Sequence, residues 1–432
     1  MSYVYADNFR GFSKAIIHLE SVNFCVGENS TGKTSILALI NLLCSPYFWH
    51  NLQFNTTNHE FGGFGDIISS KITGQRIFSI GIIQRRKTKE QNGENWVGIL
   101  IAFQEMEGLP SLAFAAQLQH NKLTCIKAEG ESFKFLSVEP PVGFPEKKAE
   151  EVFDFLVRQN DANLADYKPV PQQIPLGLPF QHLISYIEMA IASDEERKAG
   201  RFFQWPLSLQ QIIWLAPIRT RPRRTYDGYG VDFSPEGEHT PFELRKIFRS
   251  KEKAKAFLSA LQQFGKSSGL FRKVSIHNLG REAASPFEVL VTLTSSPLRI
   301  NSVGYGVSQA LPVIVEMLER PKGSYFAIQQ PEVHLHPKAQ AALGDLLFRM
   351  AEIDQKRFLI ETHSDFMIDR FRQNMRRMKS NKIRAQVLFF ERCGEGNKLS
   401  LIPILSNGEY ATEQPSTFRD FFLKEQMSIL GI

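Results

Sequence analysis

The feature that most constrains this 432-residue chain lies near its start, in the run Gly27-Glu-Asn-Ser-Thr-Gly-Lys-Thr-Ser35. The run matches the pattern G-x-x-x-x-G-K-[ST] at every fixed position, and it follows a mostly apolar segment of strand length, Val22–Val26. The next residues, Ile36–Leu43, are largely apolar and predict a helix with much of its surface buried. A strand, a glycine-bearing turn and a helix in this order predict a phosphate-binding loop.

Each residue type in this loop suits a nucleoside triphosphate. The glycines let backbone N–H groups close around the β-phosphate, and the N-terminus of the following helix adds its dipole. Lys33 would neutralise the β and γ oxygens, and the Thr34 hydroxyl would ligate Mg²⁺. We therefore predict ATP and Mg²⁺ as ligands. The residues expected to bind ATP here are Gly27, Asn29, Ser30, Thr31, Gly32, Lys33, Thr34 and Ser35.

Two further polar segments each follow a predicted strand. Gln329-Gln-Pro-Glu-Val-His-Leu-His-Pro337 comes after Tyr325–Ile328, and Glu361-Thr-His-Ser-Asp365 comes after Arg357–Ile360. A P-loop enzyme needs a carboxylate at the end of such a strand to hold Mg²⁺ through water, and a polar group to orient the attacking water. A histidine on the neighbouring strand could reach the γ-phosphate, although a lone histidine there is more often a core or capping residue.

A fourth segment, Asn301-Ser-Val-Gly-Tyr-Gly-Val-Ser-Gln309, joins a glycine-bearing turn to an apolar helix that continues from Ala310. The N-terminus of this helix is also suited to phosphate. Since the loop at Gly27–Ser35 already serves one phosphate chain, a second site of this kind implies an ATP molecule clasped between two protomers. Taken alone, the glycines could form a simple turn.

In this order the four motifs resemble those of the ABC-like ATPases of the SMC/RecF/OLD group. Asn8–Phe12 and Pro217–Tyr226 are similar to small bacterial members found in anti-phage systems such as Septu, PARIS and retron-associated operons. The resemblance covers most of residues 1–110 and 205–430. It implies an α/β fold of the ABC-type P-loop ATPase head, with a mixed central sheet flanked by helices, an antiparallel β subdomain and a helical insertion.

The resemblance also implies roles for single residues. Glu332 would be a catalytic or γ-phosphate carboxylate, His363 a switch histidine, and His336 part of a loop at the dimer contact. The residues expected to approach ATP from the signature loop and this contact are Gly304, Gly306, Gln309 and His336. The expected catalytic residues are Gln329, Gln330, Glu332 and His363, and the expected metal-site residues are Thr34 and Gln329.

Position 329 departs from the family's pattern, in which the residue that supports Mg²⁺ is acidic. An amide can hydrogen-bond to a metal-bound water, but it supplies no negative charge. ATP binding is therefore expected, and ATP hydrolysis by this chain is expected to be slowed. Two interpretations stay open. Either the natural protein carries a glutamate at 329 and this chain traps ATP, or the protein is a natural ATP-binding switch with little or no hydrolysis.

We expect three segments along the chain. Residues 1–128 would form the N-terminal lobe of the ATPase head with the phosphate-binding loop. Residues 129–204, which are richer in Pro, Lys and Glu, would form a helical and loop insertion. Residues 205–432 would form the C-terminal lobe with the other three motifs. The sequence contains no long heptad run, so a long coiled-coil arm is not expected.

Charge and cysteine content narrow the class of protein. The net charge is +6, and a cluster at Arg219, Arg221, Arg223 and Arg224 predicts either a nucleic-acid contact or a solvated surface. The four cysteines are dispersed without metal-ligand spacing, which favours a reducing compartment. No apolar stretch is long enough to span a bilayer, and no signal peptide is evident. These features predict a cytoplasmic protein without a membrane partner.

Three functions stay open at this point. The first is a dimerising ATPase subunit that gates or scaffolds a separate effector, such as a nuclease from the same operon, in anti-phage defence. The second is a RecF-like DNA-binding ATPase in repair, and the third is an ATP-binding switch with little hydrolysis. A self-contained nuclease of the OLD type would need a Toprim domain with an Asp-x-Asp cluster, and none follows His363.

Overall fold

The computed structural model describes residues 2–56, 59–70, 76–87, 94–119, 121–130, 132–170, 174–175, 177–192, 205–378, 382–394 and 396–420. The chain divides into two compact units. The first unit consists of Met1–Leu19, Glu28–Gln211 and Phe390–Leu399, and the second of Glu20–Gly27, Ile212–Phe389 and Ser400–Ile432.

Strands and helices are numbered in chain order. The strands are β1 (Ser2–Asp7), β2 (Ala15–Leu19), β3 (Val22–Gly27), β4 (Ile77–Lys87), β5 (Glu94–Met106), β6 (Leu109–Gln119), β7 (Lys122–Glu129), β8 (Ser132–Val138), β9 (Lys168–Pro169), β10 (Ile212–Leu215), β11 (Lys273–Asn278), β12 (Phe287–Thr292), β13 (Pro297–Arg299), β14 (Tyr325–Gln329), β15 (Arg357–Glu361), β16 (Ala385–Cys393) and β17 (Gly396–Ile404). The α-helices are α1 (Lys33–Leu43), α2 (Pro46–Asn51), α3 (Phe64–Ile67), α4 (Ala149–Asn160), α5 (Phe180–Ile191), α6 (Thr240–Arg249), α7 (Lys251–Ser268), α8 (Tyr305–Glu319), α9 (Pro337–Ile353) and α10 (Asp365–Arg377).

The first unit is built on an eight-stranded sheet with the order β2-β1-β4-β5-β6-β7-β8-β9. All of its pairs are antiparallel. Helix α4 packs against this sheet through Val152, Phe153 and Leu156, which belong to the same buried cluster as Leu100 of β5. The central strands β4, β5 and β6 each contain a run of at least five buried residues, so both faces of the sheet are covered along these runs.

Residues 129–192 differ from the predicted separate insertion. The predicted boundary at 128/129 falls inside β7, and β8 pairs with β7 along its whole length. Ser132–Val138 alternates polar and apolar residues, which is the period of a strand and explains why it extends the sheet. Helix α4 contributes to the same core. Residues 193–204 of the predicted insertion lie outside the described residues.

A six-stranded sheet has the order β10-β14-β15-β3-β16-β17. The pairs β10–β14, β14–β15 and β15–β3 are parallel. Every residue of β3 and β14 is buried, as expected for parallel strands covered on both faces. A smaller antiparallel sheet, β11-β12-β13, lies in the second unit.

One hydrophobic cluster joins these strands to the helices of the second unit. Phe24 of β3 contacts Phe371 of α10 with their ring centroids 5.3 Å apart, and Phe326 stacks on Phe358 at 5.5 Å. The predicted α/β class, with a central sheet flanked by helices and an antiparallel sheet, is confirmed. In the part of the chain that is described, no helix is both long and apolar enough to cross a membrane.

Candidate functional site

The phosphate-binding loop has the backbone that its glycines allow. Gly27 and Gly32 adopt positive φ angles of 147° and 89°. A Cβ atom on Gly32 would lie 2.4 Å from the ring of Phe12, so a larger residue would have to displace this buried phenylalanine. Gly32 is also the N-cap of α1, which begins three residues before the predicted start of the helix at Ile36. The close approach of Phe12 explains why only glycine fits at this position.

Three side chains fix the carbonyl groups of this loop. Lys33 Nζ donates to the Glu28 carbonyl at 2.6 Å, and Thr31 Oγ1 donates to the same oxygen at 2.7 Å. Arg392 Nη2 donates to the Ser30 carbonyl at 2.9 Å. The loop is therefore held in its curved form by its own lysine and threonine and by one arginine from β16. Thr31 and Lys33 are buried, whereas Asn29, Ser30 and Thr34 are exposed.

The N-terminus of α1 fits a bound polyphosphate. No side chain caps Gly32, and the first turn contains no acidic residue. The first N–H groups of a helix lack intrahelical partners, and an anion placed there satisfies them and the helix dipole. The described residues contain no cluster of three or more His, Cys, Asp and Glu suited to a metal. Thr34, the second residue of α1, would offer its hydroxyl to a Mg²⁺ ion bound with the phosphate chain.

The ends of three neighbouring parallel strands meet at one edge of the six-stranded sheet. β14 ends at Gln329, β15 ends at Glu361 and β3 ends at Gly27, in this spatial order. Gln329 is paired in register with Glu361, and Glu361 with Cys25. In open α/β sheets the carboxyl ends of the strands are the usual place for a ligand. The sheet thus brings the two predicted strand-end segments together beside Gly27, where the phosphate-binding loop starts.

Gln329 is hydrogen-bonded to Glu361, a residue for which no role was predicted from the sequence. Its Nε2 donates to Glu361 Oε2 at 3.0 Å, and both side chains are buried. The carboxyl group at this point of the sheet therefore belongs to Glu361, one strand away from the predicted position. The clue in the sequence was the carboxylate directly after the apolar segment of β15. A carboxylate at 329 would face Glu361 at this same short distance.

The turn after β14 has an unusual backbone. Gln330 and His334 have positive φ angles of 41° and 64°, which are rare for residues with a side chain. The Gln330 N–H donates to the Glu361 carbonyl at 2.7 Å, and the Leu335 N–H donates to the Glu332 carbonyl at 2.9 Å. Such conformations persist only where the surroundings enforce them, and they cluster at functional sites.

Glu332 lies inside this turn and is buried. Its Oε1 accepts a hydrogen bond from the His363 backbone N–H at 2.7 Å, so the structure brings together two of the predicted catalytic residues. Burial raises the pKa of Glu332, and the hydrogen bond from His363 and the charge of Arg219 oppose this shift. The His363 side chain is exposed. The Glu332 carboxyl is thus held by the backbone of the segment that carries His363.

Arg219 corrects the prediction of a four-arginine nucleic-acid contact. Its guanidinium is buried, with Nη2 donating to the Gln329 carbonyl at 3.0 Å and Nη1 donating to the Gln330 carbonyl at 3.4 Å. Burial lowers the pKa of Arg219 to about 10, although the charge of Glu332 opposes this. Arg219 therefore supports the turn that carries Glu332, because its donors are directed into the protein. Arg221, Arg223 and Arg224 remain exposed.

The signature segment packs against the same turn. Gly304 is exposed at the N-cap of α8, and a Cβ atom there would meet no atom within 4 Å. A Cβ atom on Gly306 would lie 2.9 Å from the His334 carbonyl. Gln309 is buried, and its amide bonds to both the N–H and the carbonyl of Arg219 at 3.4 Å. In this structure the amide therefore holds the Arg219 backbone, and the contact of Gln309 with ATP stays a prediction.

His336 occupies the N-cap of α9, where its Nδ1 accepts a hydrogen bond from the Ala339 N–H at 3.3 Å. The ring is exposed, as is the neighbouring His334, whose ring centroid lies 5.9 Å from that of the half-exposed Tyr305. Gly304, Tyr305, His334 and His336 thus offer exposed groups near the start of α8 and α9. The role of His336 at a dimer contact stays a prediction.

Sequence comparison decides the family. Residues 1–138 and 232–368 match the family model of the AAA ATPase domain. The chain belongs to the AAA ATPase domain family. The matched residues of this AAA ATPase domain include the phosphate-binding loop, the signature segment, the turn after β14 and His363. None of the curated proteins matches the chain.

Solved structures of SMC heads are similar to this AAA ATPase domain protein at low identity. One is the Smc head bound to the C-winged helix domain of ScpA, with 10% identity, a TM-score of 0.43, and coverage of 93% of this chain and 98% of that chain. A second is the Smc head with an extended coiled coil bound to the C-terminal domain of ScpA from Pyrococcus furiosus, with 10% identity, a TM-score of 0.41, and coverage of 100% and 99%. The SMC head domain from Thermotoga maritima has 9% identity, a TM-score of 0.37, and coverage of 92% and 97%.

Proposed function

We propose that this AAA-family ATPase is a switch that binds ATP, dimerises head to head around it, and in that state gates or scaffolds a separate effector. One observation carries the proposal. The signature segment and the turn that holds Glu332 are packed as one piece, because Gly306 abuts His334 and Gln309 holds Arg219, which in turn holds Gln329 and Gln330. Contact of the signature segment with a nucleotide would thus act directly on the catalytic turn.

The residues divide into binding and chemical roles. The backbone of the phosphate-binding loop and Lys33 would hold the phosphate chain of ATP. Mg²⁺, held by Thr34, would neutralise charge on the phosphate oxygens. Glu332 and His363 would orient the attacking water and move its proton. Gln329 would offer only an amide to a metal-bound water, so hydrolysis would be slow while binding stays intact.

The identity of the effector rests on weaker support than the ATP switch. The resemblance of Asn8–Phe12 and Pro217–Tyr226 to small bacterial ATPases favours an anti-phage system. A separate nuclease encoded in the same operon is the effector that this resemblance favours. A pull-down of the products of neighbouring genes, with and without ATP, tests this part. Failure to recover a partner in either state would count against an effector-gating role.

A RecF-like DNA-binding ATPase is the second candidate. The exposed Arg221, Arg223 and Arg224 favour it, because three guanidiniums on one surface segment can contact phosphates. Arg223 lies 3.6 Å from Glu238, which reduces its attraction for an anion. Filter binding of duplex DNA, with and without ATP, separates the two candidates. Tight ATP-dependent retention that falls on substitution of these three arginines would favour the DNA-binding function.

Crosslinking tests ATP-dependent dimerisation. One protomer carries Gly304→Cys, where a side chain meets no atom within 4 Å, and the other carries Asn29→Cys in the exposed part of the phosphate-binding loop. The exposed Cys393 is replaced by Ser in both chains, and the other cysteines are buried. We expect a short crosslinker to join the two variants only with Mg-ATP.

The matched control replaces Gly304→Cys by Lys322→Cys, since Lys322 is also exposed in the second unit. Introduction of Lys33→Ala should abolish the ATP-dependent product. Equal crosslinking with and without ATP, or from Lys322→Cys, would contradict the proposed dimer. Gly306→Cys is unsuitable, because its Cβ would collide with the His334 carbonyl.

A further inference from the structure

The hairpin formed by β16 and β17 lies next to the phosphate-binding loop. Its segment Phe390–Leu399 belongs to the first unit, which also contains the loop from Glu28 onward, whereas the residues on either side of this segment belong to the second unit. The side chains of Arg392 and Asn397 donate hydrogen bonds to main-chain carbonyls elsewhere in the first unit. They attach the hairpin to the loop and to the turn between β1 and β2.

Asn397 fixes the hairpin to the turn between β1 and β2. Its backbone N–H donates to the Gly11 carbonyl at 2.8 Å, and its Nδ2 donates to the Arg10 carbonyl at 3.2 Å. A Cβ atom on Gly396 would lie 2.4 Å from the Gly11 carbonyl oxygen, so a larger residue would force the two segments apart. A Cβ atom on Gly32 would lie 3.2 Å from Asn397 Nδ2. The start of β17 is therefore held close to the phosphate-binding loop.

Arg392 contacts the main chain of the loop itself. Its Nη2 donates to the Ser30 carbonyl at 2.9 Å, and a hydrogen bond from a charged donor is stronger than one from a neutral donor. Ser30 has a φ angle of 61°, in the left-handed region that is rare for a residue with a side chain. Such a conformation persists only where the surroundings enforce it. Arg392 provides part of this constraint on Ser30.

The same hydrogen bond sets the orientation of the peptide group between Ser30 and Thr31. In a planar trans peptide the C=O and N–H bonds point in opposite directions. Because the Ser30 carbonyl is directed toward Arg392, the Thr31 N–H is directed away from Arg392. Thr31 belongs to the run whose backbone N–H groups are expected to bind phosphate. A rotated peptide would instead present the Ser30 carbonyl oxygen, which repels phosphate oxygens.

We propose that Arg392 is a positioning residue for the phosphate chain of ATP, acting through the Ser30–Thr31 peptide and not by contact with the nucleotide. With Arg392 in place, the Thr31 N–H is directed toward the phosphates before ATP arrives. Without it, part of the binding free energy would be spent on ordering this peptide. The inference rests on the proposed function, since it requires that ATP binds at Gly27–Ser35.

The first test is the affinity for Mg-ATP, measured by isothermal titration calorimetry. Arg392→Ala should weaken binding about fivefold, because one hydrogen bond that orders the loop is lost. Arg392→Lys keeps a charged donor and should weaken it less than about twofold. Lys398→Ala, at an exposed residue of the same hairpin, is the matched control and should leave the affinity unchanged. Arg392 is itself exposed, so Arg392→Ala and Lys398→Ala should have the same Tm without nucleotide.

The second test observes the Thr31 N–H directly by NMR. Labelling with ¹³C-carbonyl serine and ¹⁵N threonine selects Ser-Thr pairs, which occur in this chain only at Ser30-Thr31 and Ser416-Thr417. Saturating Mg-ATP should move the Thr31 amide proton downfield in the parent, as expected for a new hydrogen bond to phosphate. This shift should be smaller in Arg392→Ala and restored in Arg392→Lys. The resonance of Thr417 serves as the internal control.

Lys33→Ala is titrated alongside, so that the inference and the proposed function can fail separately. If Lys33→Ala weakens ATP binding but Arg392→Ala does not, the positioning role is overturned and the ATP site stands. A full downfield shift of Thr31 in saturated Arg392→Ala would overturn it as well. A Tm for Arg392→Ala well below that of Lys398→Ala would mean that Arg392 only stabilises the fold. Unaltered ATP affinity in Lys33→Ala would refute the ATP site itself.

Discussion

The phosphate-binding loop and the turn after β14 are both expected to act on the phosphate chain of ATP. The loop would do so mainly through backbone groups, and the turn mainly through side chains. The loop relies on backbone: two glycines with positive φ, an uncapped helix N-terminus and carbonyls held by Lys33 and Arg392. The turn relies on buried side chains, since Gln329, Glu332 and Arg219 are all enclosed and hydrogen-bonded.

Because of this difference, we expect ATP binding to depend mainly on the loop and ATP hydrolysis to depend mainly on the turn. In the loop most phosphate contacts would come from backbone N–H groups, which every residue except proline carries, so its side chains are constrained mainly at Lys33 and at Gly32. The buried network depends on the charge of each member, since a single neutral residue changes the balance for all of its neighbours. The second region contains Gln329, where the resemblance leads us to expect an acidic residue, while the first region keeps every fixed residue of the G-x-x-x-x-G-K-[ST] motif.

The largest expected effect comes from the loop. Lys33→Ala should weaken Mg-ATP binding about 10³-fold, because it leaves the charge on the β and γ oxygens without its ammonium partner. Isothermal titration calorimetry measures the change. Lys322→Ala, at an exposed lysine, serves as the matched control. Unaltered ATP affinity in Lys33→Ala would refute the assignment of the loop.

In the turn, Gln329→Glu should raise the rate of phosphate release about 10²-fold by restoring a carboxylate to the metal shell, with little change in ATP affinity. The exposed Gln53→Glu is the control. Equal rates before and after the change would show that residue 329 does not support the metal. A natural gene that encodes glutamate at 329 would mean that this chain is a variant that traps ATP. A natural gene that encodes glutamine would mean that the protein is a natural ATP-binding switch.

The same substitution should also make stability depend on pH. A new carboxylate 3.0 Å from the position of Glu361 Oε2 would have a pKa above its unfolded value, because like charges repel. Its stability contribution is therefore present below the unfolded pKa and is lost as pH rises through the folded pKa. Without nucleotide, the Tm of Gln329→Glu should fall further below that of the parent as pH rises. A constant difference across this range would contradict the proximity to Glu361.

Arg219 and Arg221 belong to the same arginine cluster, but Arg219 is buried and Arg221 is exposed. Substituting each of them tests whether burial decides which arginine stabilises the fold. Arg219→Ala should destabilise the protein by roughly 3 kcal/mol, since it leaves two buried carbonyls and Glu332 without their cation. Arg221→Ala should change stability by less than about 0.5 kcal/mol. Urea unfolding measures both. Similar losses from the two substitutions would mean that Arg219 does not support the turn.

The smallest effect concerns Glu332. Because burial raises its pKa, its contribution to stability is present below the unfolded pKa and is lost as pH rises through the folded pKa. Glu332→Gln keeps the acceptor for the His363 N–H and should remove this loss. The Tm of the variant minus the Tm of the parent should therefore increase as pH rises toward 7. The exposed Glu139→Gln is the control. Parallel curves would contradict a raised pKa.

Much of the strand-end geometry could be predicted from sequence. The strand predicted at Tyr325–Ile328 extends one residue further, to Gln329, and the strand predicted at Arg357–Ile360 extends to Glu361. The second polar segment ends where helix α10 begins, at Asp365. Continuous apolar runs that end in polar residues are strong signals for buried parallel strands. The two strands and the polar segments at their ends could therefore be located from the sequence pattern.

The partners of the polar residues could not be predicted in this way. Arg219 belongs to an arginine cluster that looks like a surface patch, and its burial depends on carbonyls 110 and 111 residues away. Gln309 was predicted to contact ATP, and nothing in the sequence indicated that its amide hydrogen-bonds to the backbone of Arg219. Such pairs arise from tertiary packing, which local patterns do not contain. The extension of the antiparallel sheet by β8 was missed because composition outweighed its alternation.

The position of β3 in the six-stranded sheet has a consequence for synthesis of the protein. This strand lies between β15 and β16, and Asn23 bonds to the Phe358 carbonyl across 335 residues of chain. At roughly 5–20 residues per second, the ribosome would need about 15–70 seconds to supply the partner strand. During that time Val22–Gly27, an apolar strand with both edges unpaired, would need shielding by a chaperone or by transient collapse. A nascent chain should thus be unable to bind ATP until β15 has emerged.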